Sequence, residues 1–302
     1  MANLSILDKD HNLIPKQTWE DHIQEICSRF EDLNSDKNKS KKIIKELLIK
    51  AVLKRKSENL GILFSGGLDS TLIAKILKDN NIKFKCIAVG FEGSSDLDFT
   101  QQAKKLFGFD VHIRKISQQD IQEHLPKILK IVQDTDVVKI EVAIVIYFGL
   151  LEARDLNIKN VFVGGGSEEI FCGYQRHLES HKKGLKQLHL DSISGLVSMY
   201  DRDIVRDFKL SKYFNINLLL PFLDADIIQK AMSISPSLKT DGINKKIILR
   251  EVSKEIGLPE EFSNRKRTAA QYGSKVSSEL SKLAKKSGYK TKLEFLKSIK
   301  PF

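Results

Sequence analysis

The sequence predicts an α/β fold built on a doubly wound parallel sheet, followed by a mainly helical C-terminal region. Three observations carry this. Between residues 58 and 178 short apolar runs alternate with helical patterns. Glycine-rich turns follow two of those runs, at residues 65–67 and 164–166, where open parallel sheets place their ligand sites. Beyond about Leu178 the strand signal fades and short helical patterns take over, punctuated by Pro221, Pro236 and Pro259.

Taken in order, residues 1–57 form an N-terminal extension with two helical patterns. Trp19, Ile23, Ile26, Cys27 and Phe30 share one face, and Ile43, Ile44, Leu47, Leu48, Ala51 and Val52 another. Residues 34–38 are the loop between them. The run 60–64 (LGILF) reads as a buried parallel strand ending in a glycine turn. Leu72, Ile73, Ile76 and Leu77 then make a helix face. Residues 84–90 are a second strand, 97–107 a helix opened by Ser94, Ser95 or Asp96, and 110–115 a third strand. Residues 121–132 and 141–155 read as helices, and 161–163 as a fourth strand running into Gly164, Gly165 and Gly166. The expected units are therefore 1–57, an α/β core over 58–178, and a helical region over 179–302 with a basic tail.

Hydrophobic residues make up 41% of the chain and charged residues 29%, a globular and not a disordered composition. No apolar run approaches the roughly 20 residues of a membrane span; residues 142–151 suit a buried helix. The first sixteen residues lack the apolar stretch of a secretory signal. Cys27, Cys86 and Cys172 are far apart and lack metal-ligand spacing, which fits a reducing cytoplasm. The net charge of +11 raises a nucleic-acid partner. Lysine is spread over every segment, however, and the basic runs 37–42 and 265–267 carry no interleaved aromatics for base stacking.

The chemistry concentrates in Ser65-Gly66-Gly67-Leu68-Asp69-Ser70. The two glycines let the backbone approach phosphate oxygens, and the following helix offers free N–H groups. No Gly-Lys-Ser/Thr ending follows, so the usual phosphate lysine is absent. Asp69 stands in the anion site instead, which would repel phosphate unless it holds Mg²⁺. Other residues have plainer readings alongside. Asp224 follows a proline turn and would cap a helix. Lys246 and Arg250, four apart, suit a solvated helix face. Glu168 and Glu169 suit the first turn of a helix. Tyr174 and His177 read as structural.

Ser-Gly-Gly-x-Asp-Ser after the first strand resembles the signature of the PP-loop ATP pyrophosphatases. Three further segments resemble blocks of the asparagine synthetase family's synthetase domain: residues 164–174, Pro221-Phe222-Leu223-Asp224, and residues 244–250. The stretch 87–96 is similar to that domain's second-strand segment, so the likeness covers about residues 58–275. It implies a Rossmann-like HUP fold and cleavage of ATP between its α- and β-phosphates. By position, Leu63 and Val89 would flank the adenosine. Ser65, Gly66, Gly67 and Ser70 would hold the pyrophosphate, beside Gly164 and Gly165. Asp69 and Glu168 would bind Mg²⁺, Lys246 would stabilise charge in adenylation, and Asp224 would sit at the site's edge. Arg265, Lys266 and Arg267 would add pyrophosphate contacts.

Two departures from the family shape the expected reaction. Ala2 and Asn3 follow Met1 where the family's glutaminase domain has its cysteine, and fewer than 60 residues precede the synthetase-like region. The nitrogen source is then ammonia, a separate glutaminase subunit or another amine. Gly165 replaces the family's glutamate in Gly-Glu-Gly and leaves no side chain to act as a base. The expected activity is an AMP-forming amide ligase using ATP and Mg²⁺, with aspartate and ammonia as the default pair and a homodimer as one assembly. A PP-loop tRNA-modifying enzyme and a catalytically impaired ATP-binding protein are the alternatives.

Overall fold

The central strand β1 (Leu60–Leu63) is apolar on both sides because helices cover both faces of the sheet around it. It pairs in parallel with β2 (Phe84–Gly90) on one side and β4 (Asn160–Phe162) on the other. Outside these lie β3 (Val111–Lys115) and β5 (Asn217–Leu219), giving the all-parallel order β3-β2-β1-β4-β5. This computed structural model describes residues 7–8, 12–266 and 268–299.

Alternation along the strands sends side chains into two separate cores. Leu60, Ile62, Cys86 and Phe162 enter one. With them pack α1 (Lys16–Ile26), α2 (Lys37–Leu53), α3 (Leu68–Asp79) and α9 (Leu185–Met199), together with α11 (Ala225–Met232) and α12 (Ile247–Glu255). Ile87, Val89 and Val161 enter the other core. There they meet α5 (Gln118–Val132), α6 (Val137–Asp155), α10 (Val205–Phe214), α15 (Val276–Lys286) and α16 (Lys292–Ser298). Gly149 lets α6 lie close to the sheet, since a Cβ there would stand 2.6 Å from Leu63 Cδ2. Helix α4 (Ser95–Phe107) connects β2 to β3, and the short helices α7 (Ser167–Ile170), α8 (Gln175–Lys182), α13 (Glu260–Ser263) and α14 (Ala270–Gly273) fill the other connections.

The N-terminal helices belong to the first core. Trp19 is fully buried and its indole N–H donates to the Leu196 carbonyl at 3.0 Å. Asp36, inside the expected loop, caps α2 by accepting from the Lys39 N–H. The helix expected over 141–155 begins four residues earlier, with Asp136 as its cap. The four expected strands are present, but the C-terminal region is not free of strands. β5 completes the sheet from residues 217–219, paired with β4 and followed directly by a 3₁₀ turn at Pro221–Leu223. Three residues before a proline carry no readable period, so only the pairing identifies them. Among the described residues no helix is long and apolar enough to cross a membrane.

Lys239 follows a 3₁₀ turn, Pro236–Leu238, and is fully buried in the helical part of the first core. Its Nζ reaches the Met232 sulfur at 3.7 Å, and no carboxylate pairs with it among the described residues. Burial pushes its pKa below the ordinary 10.5, against a smaller opposing pull from the Cys172 and Cys27 thiols. The folded state therefore holds this proton less tightly than the unfolded chain, and stability should rise with pH up to about that ordinary value. Lys239→Met should stabilise by about 1–3 kcal/mol at neutral pH, by removing a buried amine that no carboxylate compensates. It should also flatten the rise of stability between neutral and alkaline pH. Urea unfolding across that range checks both, and equal slopes for the two proteins would contradict the assignment.

Candidate active site

The strand β1 delivers residues 65–70 to the C-terminal edge of the sheet, where α3 begins. Gly66 takes φ +66°, a backbone that L side chains seldom adopt, and a Cβ there would meet Phe99 Cβ at 2.8 Å. Gly67 is the N-cap of α3 and makes no side-chain cap. The first N–H groups of α3 thus lack helical partners and sit at the positive end of the helix dipole. The Ser65 hydroxyl accepts from the Gly67 N–H at 3.3 Å, and the Ser70 hydroxyl donates to the Gly67 carbonyl at 3.3 Å.

Asp69, one turn into α3, meets a lysine from far along the chain. The Lys246 Nζ lies 2.7 and 3.0 Å from the two Asp69 oxygens, 2.8 Å from Ser167 Oγ and 2.8 Å from Glu168 Oε1. Its side chain is only 5% exposed. Burial works against the ammonium, but the Asp69 and Glu168 carboxylates outweigh it and hold the pKa above the ordinary lysine value. The lysine was expected on a helix. It is instead the N-cap of α12, with φ 57° and ψ 34° in the left-handed region. A non-glycine residue there costs on the order of 1–3 kcal/mol, and an ammonium at a helix N-terminus opposes the dipole. The two carboxylates offset both costs. Arg250 does not form a solvated face with Lys246: its guanidinium donates to the carbonyls of Lys245, Ser263 and Arg265.

Glycines make the room. A Cβ on Gly164 would stand 2.9 Å from Asp69 Cβ, and one on Gly173 would overlap Glu168 Oε2 at 1.7 Å and Lys246 Cε at 2.5 Å. A Cβ on Gly165 would lie 3.3 Å from Leu220 Cδ2. The result is a cleft of about 1340 Å³. Leu63, Ile87, Val89, Val142 and Ile146 line its apolar part, and Ser65, Gly67, Asp69, Ser70, Gly164, Gly165 and Glu168 its polar part.

The remaining expected residues fall around this centre. Arg265 is buried and its guanidinium is taken up by the loop: it donates to the Ser65 carbonyl at 2.5 Å and to Asp96 at 2.8 Å, over the Phe99 ring. Burial raises the Asp96 carboxyl to about 6 against the pull of Arg265, so this brace is an ion pair above that pH. Lys266 is exposed, and Arg267 lies outside the described residues. Asp224 is not among the groups gathered at Lys246. It caps α11 and pairs with Lys54 and Arg55, both of which line the cleft. The brace, and the roles of Ser167 and Gly173, escape a reading of the sequence because they depend on contacts between distant segments.

Two carboxylates converging on one ammonium leave one net negative charge in a space that Gly173 keeps clear. Hard oxygen donors with that excess fit Mg²⁺. Among the described residues no three His, Cys, Asp or Glu side chains group as a metal site would need. This loop, on a parallel sheet and facing a buried lysine, defines a PP-loop protein of the α/β class. The chain matches the asparagine synthase family over residues 44–212 and 184–297, and it belongs to that family. It is 31% identical, over 93% of its length, to a Methanocaldococcus jannaschii protein provisionally named asparagine synthetase (glutamine-hydrolysing) 1. It is 30% identical, over 63% of its length, to asparagine synthetase (glutamine-hydrolysing) 1 of Arabidopsis thaliana. It spans 60% of the archaeal relative and 34% of the plant one. Among solved structures, an ammonia-dependent NAD synthetase from Campylobacter jejuni aligns over 88% of this chain and 93% of its own, with 14% identity and a TM-score of 0.39.

Gly173→Ala should drive Glu168 and Lys246 apart while leaving the fold in place, because the clash is confined to those two side chains. Binding of Mg·ATP should weaken by about tenfold or more, read by calorimetry, whereas unchanged affinity would show that the centre tolerates displacement.

Proposed function

We propose that this chain is an ATP-dependent, AMP-forming amide ligase that activates a carboxylate as its acyl-adenylate. The supporting observation is the Lys246 ammonium, buried between Asp69, Ser167 and Glu168 at the foot of the phosphate loop. In this reading the adenosine lies on the apolar side, between Leu63 and Val89, and the pyrophosphate on the N-terminus of α3. Asp69 and Glu168 would hold Mg²⁺, which neutralises phosphate charge when bound. With their charge so engaged, Lys246 is released to the phosphates, as a point charge placed where negative charge grows. Arg265 serves by fixing the Ser65 carbonyl and hence the loop. Asp224 serves from the rim, by ordering Lys54 and Arg55.

The acid's oxygen attacks the α-phosphorus and pyrophosphate leaves. The nitrogen donor, ammonia or another amine, then displaces AMP. Aspartate is the default acid. Gly165 offers no base to the incoming amine, so the donor must arrive neutral or lose its proton to solvent or another group.

Purified protein given Mg·ATP, aspartate and ammonium should release AMP and pyrophosphate together with an amide. Asp69→Ala should lower kcat/KM by roughly 10²–10³-fold, and chelation of Mg²⁺ should abolish release. Formation of ADP and phosphate, or no pyrophosphate release across a panel of acids, would contradict the reading.

A further inference from the structure

The adenosine side of the cleft carries a polar group that the nucleotide reading leaves unused. Gln271, in α14, lines the cleft and is only 5% exposed. Its carboxamide makes no hydrogen bond to any described residue, and Oε1 is shut off from solvent as well. Folding seldom leaves a buried amide unpaired, because its donor and acceptor give up water without replacement. With no partner to hold it, the carboxamide can present either end to the cleft by turning about its last side-chain bond.

The segment that carries Gln271 is held firmly. The Phe91 N–H, at the end of β2, donates to the Ser274 carbonyl at 3.0 Å, and the Ser95 hydroxyl donates to the Gly273 carbonyl at 3.4 Å. Gly273 lies so close to α4 that a Cβ there would stand 2.3 Å from Asp96 Oδ1. Helix α14 also packs on α6. Gln271 is thereby fixed between the end of β2, where Val89 stands, and α6, whose Val142 and Ile146 line the apolar part of the cleft. Asp96, the nearby carboxylate, is matched by Arg265, so this wall is neutral. The phosphates have their own site on α3. A neutral donor and acceptor in an apolar slot complement a flat heterocycle that carries an acceptor next to a donor. Adenine does so at both polar edges, where its 6-amino group stands beside N1 on one side and N7 on the other. Asn and Gln are the side chains that pair with it through two bonds. The apolar residues around it hold a ring by contact area and do not distinguish one purine from another.

We propose that Gln271 reads the nucleotide base. Its Oε1 accepts from the 6-amino group of adenine, its Nε2 donates to the adjoining ring nitrogen, and the pair selects ATP over nucleotides without that amine. This rests on the placement of the adenosine between Leu63 and Val89 given above.

Calorimetric binding to the full chain with Mg²⁺ tests it. The probes are ATP, purine riboside triphosphate, which lacks only the 6-amino group, and inorganic tripolyphosphate, which lacks the nucleoside. Wild type should bind ATP about tenfold or more tightly than the purine analogue. Gln271→Leu, apolar and of similar size, should bind the two nucleotides alike, with ATP weakened about tenfold or more and tripolyphosphate unchanged. Without ligand, Gln271→Leu should unfold at the wild-type urea midpoint or a higher one, since it removes a group with no partner in the fold. A lower midpoint would mark the side chain as structural and count against the proposal. An ATP preference equal in wild type and Gln271→Leu overturns it, and so does a wild type that binds both nucleotides equally. A wild type that binds neither nucleotide sinks the ATP reading and this proposal together. An ATP preference carried by Gln271, with no pyrophosphate released in the presence of any acid, sinks the ligase reading alone and leaves the base contact standing.

Discussion

One buried ammonium holds the active cleft together. Lys246 draws in Asp69 from the phosphate loop and Ser167 and Glu168 from the turn after β4, although these segments are 177 and 78 or more residues away in sequence. Two carboxylates this close would repel each other and seek water without it. The surrounding backbone is shaped to permit the contact: Gly164 beside Asp69, Gly173 beside Glu168, and the left-handed turn that aims Lys246 inward. A strained residue, two close-packed glycines and a cation at the wrong end of a helix all become intelligible through this single interaction.

The same centre explains why the sheet and the helical region form one site. The sheet supplies the phosphate loop and the turn after β4, while α12 supplies the lysine. Arg265, from beyond α12, reaches back to the Ser65 carbonyl and fixes the loop's entry. Both long-range ties enter from the C-terminal half. The cleft between them has an apolar side suited to a base and sugar and two charged walls. One is centred on Lys246 and the other on the Glu169–Tyr174–Arg202 network.

The parts legible in the sequence were those written in local patterns. Short runs alternating with helical patterns marked four strands, two of them by a following glycine turn, and Ser65–Ser70 marked the loop that leads into α3. Helix α6 starts four residues before the expected 141 because Asp136 caps it, and Asp36, inside the expected loop 34–38, caps α2. β5 was not legible, being three residues long and defined only by its partner β4. Lys246 was found, but its αL cap position was not, since nothing in its neighbours demands φ > 0. The Arg202, Asp203, Arg206 and Asp207 spacing looks like a solvated, ion-paired helix face. Only the π-helical turn Tyr200–Ile204 and the fold of α7 against α9 show that it faces Glu169 in a cleft. Asp224 and Arg265 were legible as charged residues near the site, while their roles as cap and brace depend on partners more than 160 residues away.

The central claim is that Lys246, Asp69 and Glu168 act as one charge-coupled unit, and a double-mutant cycle on unfolding free energy tests it most directly. Lys246→Met should destabilise the nucleotide-free protein by about 3–5 kcal/mol, because it strands two buried carboxylates. Adding Asp69→Asn should then recover part of that loss, with a coupling free energy of at least about 1 kcal/mol. Strictly additive effects, or a Lys246→Met protein as stable as wild type, would contradict the account.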